Sequence, residues 1–311
     1  MLLTRKQYQK HILLTGVLKM NLSIFNDYSF IIVLTGSVIL GITSGIIGTV
    51  SVLKKQSLIG DVVGHSSFPG IVIAFMLFMT RSPFVLLGGA VFSGILAYFL
   101  IQIIDSYSPT GTNTILAIIL STFFGLGIVL KSYIQGNPNF SKASQSGLQN
   151  YIFGQAAYMT KFDITLIMAV SLFSLIVLFL FYKEIQIYVF DQNYGNTLGY
   201  SKKKLSFLTL FITISVIAVG LKIVGIILIS SMLISPAVAA LQWSNKYSTV
   251  LTLSGIFGGI SAFFGTFISA NYKGMSTGPS IVIAMSIIVF VSILLSPKGL
   301  IFKFFNKRKV N

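Results

Sequence analysis

The sequence predicts an all-α, polytopic bundle of about eight or nine membrane-spanning helices, and three observations carry that reading. Hydrophobic residues make up 54% of the chain and charged residues only 9%, where soluble domains carry about 25% charged residues. The mean hydropathy is +0.89. The apolar residues fall into runs long enough to cross a bilayer, separated by Gly, Pro or charge.

Residues 1–27 read as a basic N-terminal arm with Arg5, Lys6, Lys10 and Lys19. The apolar stretch at 12–17 is too short to span. The transmembrane body follows at 28–298, with predicted spans at 28–53, 59–79, 83–104, 113–131, 163–182, 205–221, 223–243, 248–270 and 278–296. The first ends at Lys54 and Lys55, the second holds Pro69-Gly70, and the third opens on Pro83. Residues 132–162, rich in Gly, Asn, Ser and Gln, form a long connection. Residues 183–204 form a second, with Lys183, Glu184, Asp191, Lys202, Lys203 and Lys204. The stretch 205–243 has an alternative reading as one kinked unit, and 59–79 as a span broken at Pro69. A basic tail, 299–311, closes the chain.

Charge orients this bundle. With the C-terminus in the cytoplasm, Lys54, Lys55, Lys183, Lys202, Lys203, Lys204, Lys246 and Lys298 lie on that side too, as the positive-inside rule favours. The net charge of +16 therefore reads as membrane flanking and not as a nucleic-acid footprint, since no folded basic domain or DNA-binding spacing accompanies it. The chain has no cysteine, which excludes disulfides and thiolate metal sites. The Met residues do not cluster as a copper(I) path would need. No G-x-x-x-x-G-K-[ST] loop is present, so any ATP would be used by another polypeptide.

Of the six acidic residues, Asp61 alone runs almost directly into an apolar stretch. Four residues later comes His65. Positions i and i+4 share a helix face about 6 Å apart along the axis, so a carboxylate and an imidazole there can hold Mn(II), Zn(II) or Fe(II) together. The plainer reading makes Asp61 a helix cap and gives His65 a nearby carbonyl. Position inside a span favours a transport path, because ionisable groups there mark pathways. Two ligands leave the shell to be completed by water, Ser66, Ser67, backbone carbonyls or another chain.

Three further features stand out. Pro69-Gly70, and Pro236 in the seventh span, are candidate helix breaks or gates, with a packing kink the equal alternative. Ser231, Ser235 and Ala239 recur every fourth residue and read as a close-packing helix face. The segment from Tyr188 to Tyr200 holds Phe190, Asp191, Tyr194, Leu198 and Gly199; it reads as a docking surface or as an interfacial helix.

Taken in order, these segments resemble the manganese/zinc permease family of ATP-binding-cassette (ABC) importers over about residues 30 to 298. Gly60, Asp61, His65, Pro69, Gly70 and Ala74 match the family pattern G-D-x-x-(S)-H-x-x-x-P-G-x-x-x-A, with Gly64 where Ser is usual. Tyr151-Ile152-Phe153-Gly154 with Asp163 resembles an L-F-G…D segment. Phe190-Asp191 with Gly199 resembles an F-D-x-x-x-A…G loop, with Gly195 for Ala. Val224 to Ala240 resembles a V-G-x-x-L…P-A-x-x-A helix, and Ser276-Thr277-Gly278-Pro279 a P-T-G-P turn.

The resemblance implies a multi-pass subunit of the bacterial cytoplasmic membrane that is not itself an enzyme and binds no cofactor. Two permease chains would pair. A cytoplasmic ABC ATPase would dock on the loop carrying Phe190, Asp191 and Gly199, and an extracytoplasmic metal-binding protein would deliver the ion. Asp61 and His65 would be transient ligands for manganese, or for zinc or iron. A proton-coupled secondary transporter and a non-transporting membrane scaffold are the alternatives.

Overall fold

The computed structural model describes residues 22–80, 82–137, 139–140, 154, 156, 159–272, 274–299 and 301. Most of the basic arm, the Tyr151-Ile152-Phe153 motif and most of the tail lie outside the described residues. Each predicted span is a helix. After a 3-10 turn at Leu22–Asn26 come α1 (Tyr28–Leu53), α2 (Leu58–Phe78), α3 (Pro83–Tyr107), α4 (Thr112–Gly136) and α5 (Lys161–Leu180). Two short helices follow, α6 (Tyr182–Phe190) and α7 (Gln192–Thr197). The chain then continues through α8 (Lys202–Val224), α9 (Ile226–Trp243), α10 (Tyr247–Asn271) and α11 (Thr277–Leu295).

Among the described residues, eight helices are long and apolar enough to cross a membrane. The exception is α9, whose apolar part, Leu228–Trp243, is shorter. Its 18 residues reach about 27 Å at 1.5 Å per residue, just under a hydrocarbon core of about 30 Å.

The stretch 205–243 is not one kinked unit. Gly225, at φ 85, occupies backbone space that side chains disfavour, and the chain breaks there between α8 and α9. The prolines do not break their helices. Both α2 and α9 continue through Pro69 and Pro236, because each ring is packed inside the bundle. Pro69 is buried beside the fully enclosed Phe68, and Pro236 lies against α1 at Gly45.

Helix α1 forms the centre, with α10, α9 and α5 against it. Close approach depends on small residues, as it does wherever lipid supplies no hydrophobic drive between helices. A methyl group on Gly41 would sit 2.5 Å from the Gly258 carbonyl oxygen of α10. On the other side α2 pairs with α3, where Gly70 and Gly89 meet backbone to backbone. The Ser93 hydroxyl of α3 also donates to the Ser66 carbonyl of α2 at 2.6 Å.

One ion pair fastens α5 to α8. Lys222 Nζ lies 2.6 and 2.7 Å from the two carboxylate oxygens of Asp163. The same carboxylate accepts from the Thr160 N–H at 2.8 Å, completing a capping box at the start of α5. The sequence alone places Asp163 at a span end; the structure buries it. Removing Lys222 would strand a buried carboxylate. Lys222→Met is therefore expected to cost about 3 kcal/mol or more, whereas Lys222→Met combined with Asp163→Asn recovers most of the loss. Thermal unfolding in detergent measures both, and equal losses in the single and double variants would contradict the pairing.

Candidate metal-translocation site

Asp61 occupies the first turn of α2 but does not cap it; the N-cap is Ser57, without a side-chain bond. The carboxylate turns instead to His65, with Asp61 Oδ1 and His65 Nε2 3.5 Å apart. The Asp61 side chain is 32% exposed and that of His65 14%, so the pair is lodged in the bundle but open on the Asp61 side. The imidazole stands edge-on to Phe124 of α4, with ring centroids 4.7 Å apart, which fixes its plane.

The pair lies deep within the bundle. Gly60 faces Leu233 of α9, and Gly64 faces Ile229 and the Ile226 carbonyl. Leu233 lies ten residues before the end of α9, about 15 Å along that helix. Asp61 therefore begins well inside the molecule although it is near the start of its own helix. Ser230 of α9 lies beside the Asp61 carboxylate, a neighbour that the sequence does not single out. The available signal was its place in the small-residue helix beside Ser231.

Other oxygens surround the pair. Pro69 has no N–H to offer the His65 carbonyl four residues back, so that oxygen lacks its usual intrahelical donor. Of the two serines that follow His65, Ser67 is engaged, its hydroxyl donating to the Val63 carbonyl at 2.8 Å. The Ser66 hydroxyl and His65 Nδ1 are buried without a hydrogen-bond partner among the described residues. No group of three or more His, Cys, Asp or Glu comes together among the described residues, so a single copy supplies Asp61 and His65 and no closed cage.

At the end of the bundle that carries Lys54, Lys183 and Lys202, α6 and α7 form a compact hairpin. Asp191 caps α7, its carboxylate accepting from the N–H groups of Asn193 at 3.1 Å and Tyr194 at 2.9 Å. Gly195 is buried, and a methyl group there would sit 3.3 Å from the Ile187 side chain of α6, a close contact. Gly199, at φ 85, ends the turn. Phe190, Tyr194 and Leu198 remain 58%, 55% and 49% exposed. The hairpin thus presents apolar side chains from a capped, rigid frame.

Comparison with known proteins decides the family. Residues 27–296 match the model of the ABC 3 transport family. The chain belongs to the ABC 3 transport family. It is 36% identical over 289 residues to the zinc transport system membrane protein TroC of Treponema pallidum, covering 93% of this chain and 96% of that one. It is 39% identical over 267 residues to the manganese transport system membrane protein MntC of Bacillus subtilis, covering 86% of this chain but only 60% of that longer protein. The solved structure of PsaBC from Streptococcus pneumoniae in complex with Fab superposes with a TM-score of 0.80 at 26% identity, over 91% of this chain and 97% of that chain. The ABC 3 chain described here is thus a multi-pass membrane component of a transport system, and the helical class expected from its sequence holds.

Proposed function

We propose that this ABC 3 chain is the permease subunit of an ATP-driven importer of divalent metal ions, manganese foremost and zinc or iron next. Asp61 and His65 are its transient ligands. The observation that carries the reading is the 3.5 Å gap between Asp61 Oδ1 and His65 Nε2. Metal–ligand bonds to His nitrogen and carboxylate oxygen are about 2.0–2.2 Å. Two such bonds to atoms 3.5 Å apart subtend roughly 110°, an angle that small divalent ions accept. A gap of this width exceeds a good hydrogen bond, so an ion enters without breaking a tight pair. The ion arrives as cargo, and an open two-ligand site releases it more readily than a closed cage would. The similarity to a zinc and a manganese transport system protein supports a metal of this class.

The partners follow from the same reading. The exposed Phe190, Tyr194 and Leu198 on the Asp191-capped hairpin suit a docking site for a cytoplasmic ABC ATPase. An extracytoplasmic metal-binding protein hands over the ion at the opposite end. A second copy of this chain packs against α4. Ala117, Ser121 and Gly125 are exposed at four-residue spacing there, on the helix whose Phe124 orients His65. Pairing across that face brings a second Asp61 and His65 to the path.

Asp61→Ala or His65→Ala is expected to lower manganese accumulation in cells about tenfold or more, with membrane abundance of the chain and ATPase retention unchanged. Normal accumulation of both manganese and zinc would refute the ligand assignment. Because the chain has no native cysteine, Ser121→Cys is a clean probe of pairing. Mild oxidation in membranes should yield a dimer band, whereas a cysteine at Phe173, exposed on α5, should not. The reverse pattern would displace the interface from α4.

A further inference from the structure

We propose that Lys54 and Tyr188 are positioning residues that tie the α6–α7 hairpin to α2, so that movement of the hairpin is passed to Asp61 and His65. The inference rests on the reading above of the hairpin as the ATPase contact and of Asp61 and His65 as metal ligands.

Tyr188 is buried on α6, on the helix that leads into the exposed Phe190. Its hydroxyl receives Lys54 Nζ at 2.5 Å, and the same ammonium lies 4.3 Å from the ring centroid. Lys54 is thus held through both the hydroxyl and the π-face. Burial foremost, and then the charge of Lys202, lower the Lys54 pKa to about 8. The amine therefore still carries its proton at neutral pH and donates to the tyrosine.

Lys54 leads the short turn between α1 and α2. Backbone bonds from Lys54 N to Val50 O, from Lys55 N to Val52 O and from Gln56 N to Ser51 O lock that turn. Lys55 closes it in the left-handed region at φ 58. Helix α2 begins at Leu58 and Asp61 lies in its first turn. Only Lys55, Gln56 and Ser57 separate Lys54 from the start of α2, so in this proposal a displacement of Tyr188 is passed through the bonded turn to α2.

The contact also belongs to a wider polar chain. Ser206, near the start of α8, lies beside Tyr188 and 2.7 Å from the Tyr98 hydroxyl of α3. The hairpin is thereby joined to α8, to α3 and to the turn before α2. A half-buried cation is a costly way to join two helices, since an apolar residue would pack there without desolvation. What it adds is direction: one defined donor on one defined acceptor.

The test uses the chain purified with its ATPase in proteoliposomes, comparing Lys54→Met, Tyr188→Phe, the double variant and Lys54→Arg. ATPase retention, ATP hydrolysis and manganese delivered per ATP are measured. Retention and hydrolysis should stay within about twofold of the parent, while manganese per ATP falls about tenfold in each single variant. The double variant should fall no further than Lys54→Met alone, since the hydroxyl lost in Tyr188→Phe then has no ammonium left to accept from. Lys54→Arg, which keeps a cation over the ring, should regain most of the transport. Unchanged manganese per ATP, losses that multiply in the double variant, or hydrolysis and transport falling together would overturn the proposal. An unmutated complex that holds no ATPase, or an Asp61→Ala control that transports normally, would instead overturn the underlying reading.

Discussion

A charged side chain taken into a membrane protein's helix bundle is tolerated only when the protein answers it. At the centre of a lone helix, an Asp or Lys costs roughly 2.5–3.5 kcal/mol on insertion scales, and the arrangement of this bundle follows from meeting that cost at a few points. Lys222 is answered by Asp163 through two contacts of 2.6 and 2.7 Å. Lys54 is answered by Tyr188. Asp61 is answered by His65 and Ser230, with the His65 contact at 3.5 Å. The first two are tight and immobilise helices. The third is loose and partly open, which is what the proposed transient ion site requires and a purely structural contact does not.

That distinction shapes the roles of the helices. Helix α2 is pressed against α3 through Gly70 and Gly89 and bonded to it through Ser93, and it stays helical through Pro69. The end carrying Lys54 adjoins the α6–α7 hairpin, and the break at Gly225 leaves α9 a short helix whose Ser230 meets the carboxylate. On the proposed reading, a continuous α2 between the Lys54 turn and a short facing helix would expose and cover Asp61 and His65 in alternation.

Much of this was legible in the sequence because lipid simplifies the code. Apolar runs bounded by charge located every span, and the i, i+4 spacing of Asp61 and His65 placed both on one face of α2, where the structure brings them together. The contacts between distant segments were not legible. Nothing local marks Lys222 as the partner of Asp163, 59 residues away in sequence, or Lys54 as the partner of Tyr188, 134 residues away. Whether a proline interrupts its helix was not legible for a related reason: the cost of a missing N–H depends on what packs around it, and α2 and α9 continue through Pro69 and Pro236, both enclosed by the bundle. Ser230 stayed hidden in a row of small residues because its use depends on α9 facing α2.

The central claim is that Asp61 and His65 together bind the transported ion. Electron spin-echo spectroscopy of the purified protein loaded with Mn(II) tests it most directly, because a coordinated imidazole imprints nitrogen hyperfine coupling on the manganese signal. If Asp61 and His65 bind the ion together, that coupling is present in the parent protein and lost in His65→Ala, while Asp61→Asn binds Mn(II) more weakly and keeps the nitrogen signal. Bound Mn(II) without nitrogen coupling in the parent, or the same coupling after removal of His65, would contradict it.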